Sequence, residues 1–390
     1  MYYAKDLVHE LKQARQIVVF GAGIMALGVV SCLMEPPYCL NLKCCLVSDK
    51  RGNPDLVAGV PVLDFQEAEG KLEKDVLVVI AAVDKNLTSM EKSLHDHGYN
   101  RLIPLTYEGD LWSLIRGNLY QEWRKKEGKP YLTLEEELGK RVESAWEKEG
   151  EMQREPLSKP GKVVHVYRAC CHVDRRLKED LSRYSWEIPI QAGAGLTGER
   201  ICEICDDTGE HISYKNQQYC ELTALYWIWK NDRSDYVGLS HYRRHFEVNE
   251  KDLETLADSD IDVVLTIPIF DVPSVESVYR RDHVEADWQV MMEGMKTLCP
   301  EYLKAARELS KGRFYYAYNM FLMRREILEK YCQWLFPLLL YCEKRCSGRE
   351  RDSYQGRYIG FLAEHLMSIY FLYHEKEYKV VHARKHFVEW

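Results

Sequence analysis

One short segment near the start of the chain, residues 16–28, constrains the fold most. Gln16-Ile-Val-Val-Phe20 is rich in β-formers, and Gly21-Ala-Gly23-Ile-Met-Ala26 follows it directly. In this Gly-x-Gly-x-x-Ala pattern the first glycine allows a tight turn, the second lets a phosphate approach the backbone, and the alanine lets a helix pack close to the strand. The segment therefore predicts the first strand, turn and helix of a parallel, dinucleotide-binding sheet.

Two further strands extend this unit. Lys43-Cys-Cys-Leu-Val-Ser48 leads to Asp49, an acidic residue placed to hold a ribose hydroxyl. The unbroken apolar run at 76–82 predicts a strand that is buried on both faces. We predict a Rossmann-like module over residues 1–110 that binds NAD(P), a nucleotide or a nucleotide-sugar through Gly21, Gly23, Ala26 and Asp49. The alternative is that the glycines serve the turn alone.

Composition disfavours several classes of protein. With 390 residues, 46% of them hydrophobic and 29% charged, the chain is typical of a globular protein with two domains. Its net charge of −8 disfavours a dedicated nucleic-acid binder, which usually presents a basic surface. The longest apolar runs fall short of the ~18 residues that span a bilayer. We expect a cytoplasmic protein, and peripheral contact with the inner membrane face stays open.

The thirteen cysteines point to the same compartment, because no secretion signal is recognisable and reduced, packed thiols are then the rule. Cys202-x-x-Cys205 has the spacing of zinc ligands, but no second pair follows at the distance of a zinc finger. We therefore predict no metal site from the cysteines.

The segment 111–160 is unusually charged, with ten Lys or Arg and ten Asp or Glu among fifty residues. Leucines and aromatic residues between 111 and 123 form a helical stripe, and 135–151 predicts a second, more polar helix that ends before Pro156 and Pro160. We predict a helical linker over 111–160, followed by a second domain over 161–390.

In that second domain, a strand leads to a compact group of cations. Residues 216–231 predict an aromatic-rich helix, and the strand after it ends in His241, Arg243, Arg244 and His245. Ligands of α/β proteins gather at the carboxyl ends of strands, and the guanidinium fork matches phosphate oxygens. The pattern predicts a phosphate or diphosphate site. The alternative is that the arginines pair with carboxylates at a sheet edge.

Three other features are candidates for the site. Glycines in the loop that carries Gln191 and Gly193 let the backbone approach a base or sugar, although a plain turn explains them too. Tyr279, His283 and Asp287 recur every four residues, which predicts one helix face where the aspartate orients the histidine as a general base; a structural ladder of hydrogen bonds is the alternative. On the helix predicted at 354–373, Arg357 and Glu364 are expected on separate flanks, with Glu364 as another candidate base.

Six blocks in one order carry a family resemblance: Ile190-Gln-Ala-Gly-Ala-Gly-Leu196, the helix from Asn216 to Asn231, Gly238-Leu-Ser-His-Tyr-Arg-Arg-His-Phe246, Tyr279-x-x-x-His283-x-x-x-Asp287-Trp288, Ala317-Tyr-Asn-Met-Phe-Leu-Met323 and Tyr354-Gln-x-Arg-x-x-Gly-Phe-Leu-Ala-Glu-His-Leu366. Residues 163–390 resemble a bacterial family catalogued as a domain of unknown function. It is found in capsule, exopolysaccharide and O-antigen gene clusters and is regarded as glycosyltransferases with a GT-A-like fold. The first module resembles small nucleotide-binding modules attached to sugar-modifying enzymes.

Together with the residue patterns, the resemblance implies a set of site residues. The donor-binding candidates are Gln191, Gly193, Glu221, Thr223, His241, Arg243, Arg244 and Asn319, and the catalytic candidates are Asp287, His283 and Glu364. Typical GT-A enzymes hold Mn²⁺ or Mg²⁺ with Asp-x-Asp after a strand, whereas here Asp260-Ile-Asp262 precedes one. A divalent metal is therefore doubtful, and Arg243 and Arg244 are expected to neutralise the leaving diphosphate.

The function that the resemblance implies is a hexosyltransferase. We expect the donor to be a nucleotide-sugar, such as a UDP-sugar, with UDP-galactofuranose as one candidate. The expected acceptor is a capsular, exopolysaccharide or O-antigen glycan, free or lipid-linked. Two alternatives stay open: an NAD(P)-linked sugar-nucleotide oxidoreductase or epimerase that uses the first module, and a non-catalytic scaffold.

Overall fold

The computed structural model describes residues 2–140 and 162–390, which form two compact units. The first comprises Met1–Pro130 with Phe270–Val272, and the second comprises Tyr131–Ile269 with Pro273–Trp390. The first unit thus extends about twenty residues beyond its predicted end. Among the described residues, no helix combines the length and apolarity needed to cross a membrane.

The first unit is built on a parallel sheet. Its strands are β1 (Ile17–Phe20), β2 (Leu42–Val47), β3 (Leu56–Val57), β4 (Val60–Asp64), β5 (Leu77–Ala82) and β6 (Leu102–Thr106), and its helices are α1 (Tyr2–Gln13), α2 (Ile24–Met34), α3 (Phe65–Ala68), α4 (Leu87–Asp96) and α5 (Asp110–Lys126). The sheet order is β3-β4-β2-β1-β5-β6, and every pairing except that of β3 with β4 is parallel. Without β3, this is the strand order of doubly wound sheets.

The first half of the predicted linker belongs to this unit. Leu111, Ile115 and Leu119 on α5 are buried, as the predicted apolar stripe requires, and α5 packs against α1 and α2. Of the second predicted linker helix, residues 134–140 are helical (α6). The remainder of that helix, together with Pro156 and Pro160, lies outside the described residues.

The second unit is built on a larger mixed sheet. The strands of this sheet are β7 (Val164–Cys170), β8 (Glu187–Gln191), β9 (Ile204–Cys205), β10 (Tyr236–His241), β11 (Arg244–Phe246), β12 (Val263–Thr266), β15 (Phe321–Arg324), β16 (Val380–Ala383) and β17 (Lys385–Phe387). Two short strands lie outside it: β13 (Ile269–Phe270), at the division between units, and β14 (Phe314–Tyr315). The main path is β16-β12-β15-β10-β7-β8-β9, and the hairpin strand β11 joins β10 to β17. The predicted α/β class is confirmed.

Helices cover this sheet. After α6 they are α7 (Asn216–Tyr219), α8 (Leu222–Asn231), α9 (Glu250–Ala257), α10 (Val275–Asp282), α11 (Glu285–Leu298), α12 (Leu303–Lys311), α13 (Arg325–Cys346) and α14 (Tyr358–Tyr373). The largest core cluster of this unit combines α8, α11, α13 and α14 with the inward side chains of β7, β10, β12 and β15. The strand ends and helix starts around this core carry the candidate site.

Two predicted helices are interrupted. The helix predicted at 216–231 breaks at Cys220, whose φ of 50° and ψ of −132° cannot continue a helix. The predicted single face of Tyr279, His283 and Asp287 is also wrong, because α10 ends at Asp282 and His283 is extended (φ −133°, ψ 178°) before α11 begins. The four-residue spacing therefore runs across a bend and not along one helix.

Candidate functional site

Three cations meet beside two aromatic rings in the second unit. The turn after β10 brings Arg244 opposite His241, and β11 pairs with β17, which carries Lys385. The guanidinium carbons of Arg243 and Arg244 lie 4.8 and 5.3 Å from the centroid of the Phe387 ring, and the Lys385 amine lies 6.0 Å from it. We call Arg243, Arg244 and Lys385 the cationic cluster.

The Tyr318 ring lies on the other side of two of these cations. Arg244 is 4.4 Å and the Lys385 amine 5.1 Å from its centroid. Aromatic faces attract cations and restrict their positions. The expected proximity of Arg243 and Arg244 is thus observed, and Lys385 joins them although no sequence motif marks it.

Two carboxyl groups face this cluster. Glu221 lies directly before α8, and Glu364 lies on α14. Burial and the negative charge of Glu221 raise the pKa of Glu364 to about 8, although Arg244 and Arg357 act in the opposite direction. We call Glu221 and Glu364 the carboxylate pair. Two close carboxyl groups disfavour simultaneous ionisation, so this pair can hold a proton near neutral pH.

Arg357 also belongs to the site, which corrects the prediction that it and Glu364 lie on separate flanks. Arg357 is the last residue of a 3-10 turn (Gln355–Arg357) that leads into α14. The charges of Glu221 and Glu364 both act on its guanidinium, so the three side chains lie close together. Arg357 Nε also donates a hydrogen bond of 3.2 Å to Cys220 Sγ.

The backbone around the site adopts unusual conformations. Cys220, Tyr318 and Asn319 have φ values of 50°, 72° and 50°, and they are three of the five non-glycine residues with positive φ in the described chain. Such conformations cost free energy and concentrate at functional sites. The sequence gives no sign of them, because none of the three is glycine.

Asn319 is a buried polar residue of the site. Its Nδ2 donates a hydrogen bond of 2.6 Å to Glu221 Oε1, while its Oδ1 is buried without a hydrogen-bond partner. A buried acceptor without a donor is costly unless something else supplies the donor. The predicted place of Asn319 in the site therefore agrees with its surroundings.

His241 is neutral and has a defined tautomer. Burial lowers its pKa, and Arg244 acts in the same direction against the charge of Glu221. Its Nε2 contacts the carbonyl oxygen of Tyr318, which can only accept a hydrogen bond. The proton therefore resides on Nε2, and Nδ1 is left as an acceptor.

His245 lies outside the cationic cluster, contrary to prediction. It is fully buried, its Nδ1 lies 2.8 Å from Glu187 Oε2, and its ring stacks on Tyr184 at 4.3 Å. The alternation of side chains along β11 sends His245 into the core, whereas Arg244 points toward the site.

The loop that carries Gly193 packs against the segment that leads to Glu221. Gly193 has a φ of 72°, and a Cβ there would lie 2.7 Å from the Asn216 side chain. Asn216 Nδ2 donates to the Cys220 carbonyl (2.8 Å) and to Thr223 Oγ1 (3.1 Å). This network links the loop to the bend just before Glu221.

Gln191 and Thr223 are fully buried and hydrogen-bonded within the protein, and donor contact by either stays a prediction. Gln191 Nε2 donates to the Glu199 carbonyl (2.8 Å), and its Oε1 accepts from Ile201 N (2.9 Å). Thr223 bonds to Asn216 and to the Cys220 carbonyl. Both side chains hold the loop and the bend in place.

Asp287 and His283 do not form the predicted pair. Asp287 is buried, its two oxygens accept hydrogen bonds of 2.6 Å from Arg351, and Arg349 donates to it as well. His283 instead stacks on Phe361 at 4.1 Å, and Arg357 lies 5.7 Å from the same ring. Burial lowers the pKa of His283. Asp287 thus acts as an anchor for two arginines, and His283 borders the site through Phe361.

The aspartates of Asp260-Ile-Asp262 also accept hydrogen bonds within the protein. Asp262 accepts from Arg324 Nε (2.9 Å) and from the backbone of Lys379 (2.8 Å), and Asp260 accepts from the Lys379 amine (3.1 Å). Cationic partners compete with a divalent ion for the same oxygens. The geometry therefore does not favour a metal at this sequence.

In the first unit, the glycine turn forms as predicted. Gly21 has a φ of 125°, and a Cβ there would lie 3.1 Å from the Ala81 carbonyl. Gly23 caps α2 and Ala26 is buried. Asp49, however, pairs with Arg51 (Nη2 to Oδ2, 2.6 Å), and this contact lowers the pKa of Asp49 to about 2. Nucleotide binding by this unit stays a prediction.

Comparison with known proteins places this site in a family. No curated protein matches the chain. A solved structure described as the apo form of WbbM, a bifunctional glycosyltransferase, is similar, with a TM-score of 0.53 and 29% identity over 58% of this chain. The match covers 45% of that chain, so this protein spans less than half of its length. Residues 168–376 match a family model that covers more than half of the 390 residues. The chain therefore belongs to the family described as a domain of unknown function, DUF4422.

Proposed function

We propose that this protein is a glycosyltransferase whose second unit transfers a sugar from a nucleoside diphosphate donor to a glycan hydroxyl. One observation carries the proposal: Arg244 of the cationic cluster acts on Glu364, whose pKa burial and the charge of Glu221 raise to about 8. The similarity to the WbbM structure supports the reaction class. The fold of this unit is proposed to be GT-A-like.

The cationic cluster binds the donor diphosphate. During transfer the bond between the anomeric carbon and the diphosphate oxygen breaks, and negative charge develops on the departing oxygen. Arg243, Arg244 and Lys385 stabilise that charge, as fixed cations do in a site that excludes water. No divalent metal is needed in this scheme.

Glu364 is the proposed general base. Its carboxylate takes the proton of the acceptor hydroxyl while that oxygen bonds to the anomeric carbon. A base is most effective when its pKa lies near the working pH, and burial together with the charge of Glu221 raises the pKa of Glu364 into that range. Among the three catalytic candidates, Asp287 is already paired with two arginines, and burial lowers the pKa of His283, which makes it a weaker base.

The donor and acceptor follow from the family resemblance. We propose a UDP-sugar as donor, with UDP-galactofuranose as the first candidate. The acceptor is a capsular, exopolysaccharide or O-antigen glycan, and a lipid-linked form would bring the protein to the inner membrane face from the cytoplasm.

A donor panel tests the proposal. The full chain is incubated with UDP-, GDP- and dTDP-sugars, and release of the nucleoside diphosphate is measured. We expect slow hydrolysis of one donor class, lost in Glu364→Gln and retained in Glu293→Gln, a surface glutamate that pairs with Arg345. Equal rates in the Glu364→Gln variant and the wild type would contradict the proposal.

An oxidoreductase that uses the first unit is the weaker alternative. Its ribose contact requires Asp49, which already pairs with Arg51. Calorimetric titration with NAD⁺ and with UDP separates the two functions, because tight binding of NAD⁺ without binding of UDP would favour the oxidoreductase.

A further inference from the structure

A group of aromatic rings lies beside the proposed base, and the proposed function assigns it no role. The centroids of the Tyr354 and Phe361 rings lie 5.1 Å apart, with an angle of 43° between the ring planes. The His283 ring stacks on Phe361 at 4.1 Å and lies 5.9 Å from the Tyr354 ring. Tyr354 is 53% exposed, whereas Phe361 and His283 are half-buried. We call these three residues the aromatic platform.

The aromatic platform continues into α14 at the place where this helix is open to solvent. From Tyr358 to Phe371, every residue of α14 is buried except Phe361 and Glu364. These two are three residues apart, so they are neighbours on one face of the helix. The rise over three helical residues is about 4.5 Å, which a single sugar unit spans. A sugar that rests on Phe361 can therefore place a hydroxyl group beside the proposed base.

The turn before α14 holds Tyr354 in position. Gln355 Nε2 donates a hydrogen bond of 2.8 Å to the carbonyl oxygen of Asp282, at the end of α10. The backbone N–H of Arg357 donates to the carbonyl oxygen of Tyr354 (3.1 Å), and the Arg357 guanidinium lies 5.7 Å from the centroid of the Phe361 ring. Because the turn is already ordered, a ligand that stacks on Tyr354 loses little binding free energy to the ordering of the protein.

The chemistry of this surface suits a carbohydrate. The face of an aromatic ring is electrically negative, and the C–H groups on one side of a sugar ring carry small positive charges, so the two surfaces attract each other. The hydroxyl groups at the edge of the sugar stay available for polar partners. Binding sites for small molecules combine apolar contact with a few polar groups, and Arg357 and Glu364 supply those groups here.

We propose that the aromatic platform binds one sugar ring of the acceptor glycan, which stacks on Tyr354 and Phe361. This inference rests on the proposed function, because that function makes Glu364 the group that meets the acceptor hydroxyl. A nucleobase can stack on such rings as well. In a nucleotide-sugar, however, a ribose and the diphosphate separate the nucleobase from the anomeric carbon. The part of the two substrates that must lie next to Glu364 is therefore the acceptor sugar.

Binding of simple glycosides to the full chain tests this without turnover. Saturation-transfer NMR is recorded with the methyl glycosides of galactose, glucose and mannose in the absence of donor. We expect at least one of them to bind, with its C–H protons saturated most strongly. Tyr354→Ala should weaken that binding at least fivefold, and Tyr354→Phe should leave it unchanged. Tyr373→Ala is the matched control, because Tyr373 ends α14, is 40% exposed and stacks on Tyr302 at 4.0 Å.

Three results would overturn the proposal. The first is that none of the three glycosides binds, and the second is that binding survives in both Tyr354→Ala and Phe361→Leu. The third is a loss of UDP affinity in Tyr354→Ala, measured by calorimetry, since that would make the platform a nucleobase site. Failure of the proposed function gives a different pattern. The wild type would then hydrolyse no donor, while Tyr354→Ala would still weaken the binding of the glycoside.

Discussion

Two acidic residues of the second unit, Asp287 and Glu364, were equal candidates for catalysis, and their surroundings differ sharply. Asp287 is buried against Arg349 and Arg351, which occupy both of its oxygens. Glu364 faces another carboxylate, and its pKa is raised to about 8. The oxygens of Asp287 are occupied by two arginines, whereas a carboxyl group beside a like charge, such as Glu364, can exchange a proton near neutral pH. The comparison distinguishes a structural anchor from the residue that we propose as the base.

Removal of the reactive carboxyl group should have the largest effect. In Glu364→Gln the amide keeps the shape of the side chain but cannot take a proton. We expect kcat to fall about a thousandfold, within the range for loss of a general base. Steady-state transfer or donor hydrolysis measures this, with Glu293→Gln as the control. A fall of less than about fivefold would mean that Glu364 is not the base.

Removal of the anchor should lower stability and not chemistry. Asp287→Asn leaves Arg349 and Arg351 without their counter-charge, and breaking a buried ion pair in this way costs about 3 kcal/mol or more. Urea unfolding measures the loss, with the exposed Asp282→Asn as the control. The folded fraction should keep the kcat of the wild type. A stable variant with strongly reduced kcat would return Asp287 to the list of catalytic residues.

A third prediction compares an arginine of the cationic cluster with a surface arginine. Arg244→Ala removes charge stabilisation from the leaving diphosphate, and we expect kcat/KM to fall about a hundredfold. Arg345 is a matched control, because it lies over a tyrosine ring at 4.8 Å, as Arg244 does at 4.4 Å, but pairs with Glu293 at the surface. Equal effects of Arg244→Ala and Arg345→Ala would contradict the assignment of Arg244 to the leaving diphosphate.

The smallest expected effect is a shift in pH dependence. Because a base acts when deprotonated, kcat/KM of the wild type should rise with pH up to about 8 and then level off. Glu221→Gln removes the negative charge that helps to raise the pKa of Glu364, so this limb should move to lower pH. A pH profile of the variant measures the shift, and a limb that stays in place would show that Glu221 does not control Glu364.

The sequence predicted the parts of the fold that depend on local pattern. The strand and glycine turn at Gly21 form as the motif requires, and the unbroken apolar run gives the buried strand β5. The arginines at the end of β10 were also predicted to lie together. These features follow from periodicity and turn chemistry within about ten residues.

The rest of the site depends on contacts between distant segments. The pairing of β11 with β17 brings Lys385 close to Arg244, and no local sequence pattern predicts this pairing. The two helices predicted at 216–231 and across Tyr279–Asp287 are wrong at Cys220 and at His283. The backbone bends at both residues although neither is proline or glycine. Arg357 ends a 3-10 turn before α14, so helical periodicity in the sequence does not place it beside Glu364.

The central claim is that the second unit binds the donor diphosphate at the cationic cluster. Calorimetric titration of the full chain with UDP tests it most directly. The wild type should bind one UDP per chain, Arg244→Ala should bind at least tenfold more weakly, and Gly23→Ala in the first unit should bind as the wild type does. UDP affinity that is unchanged in Arg244→Ala, or lost in Gly23→Ala, would contradict the claim.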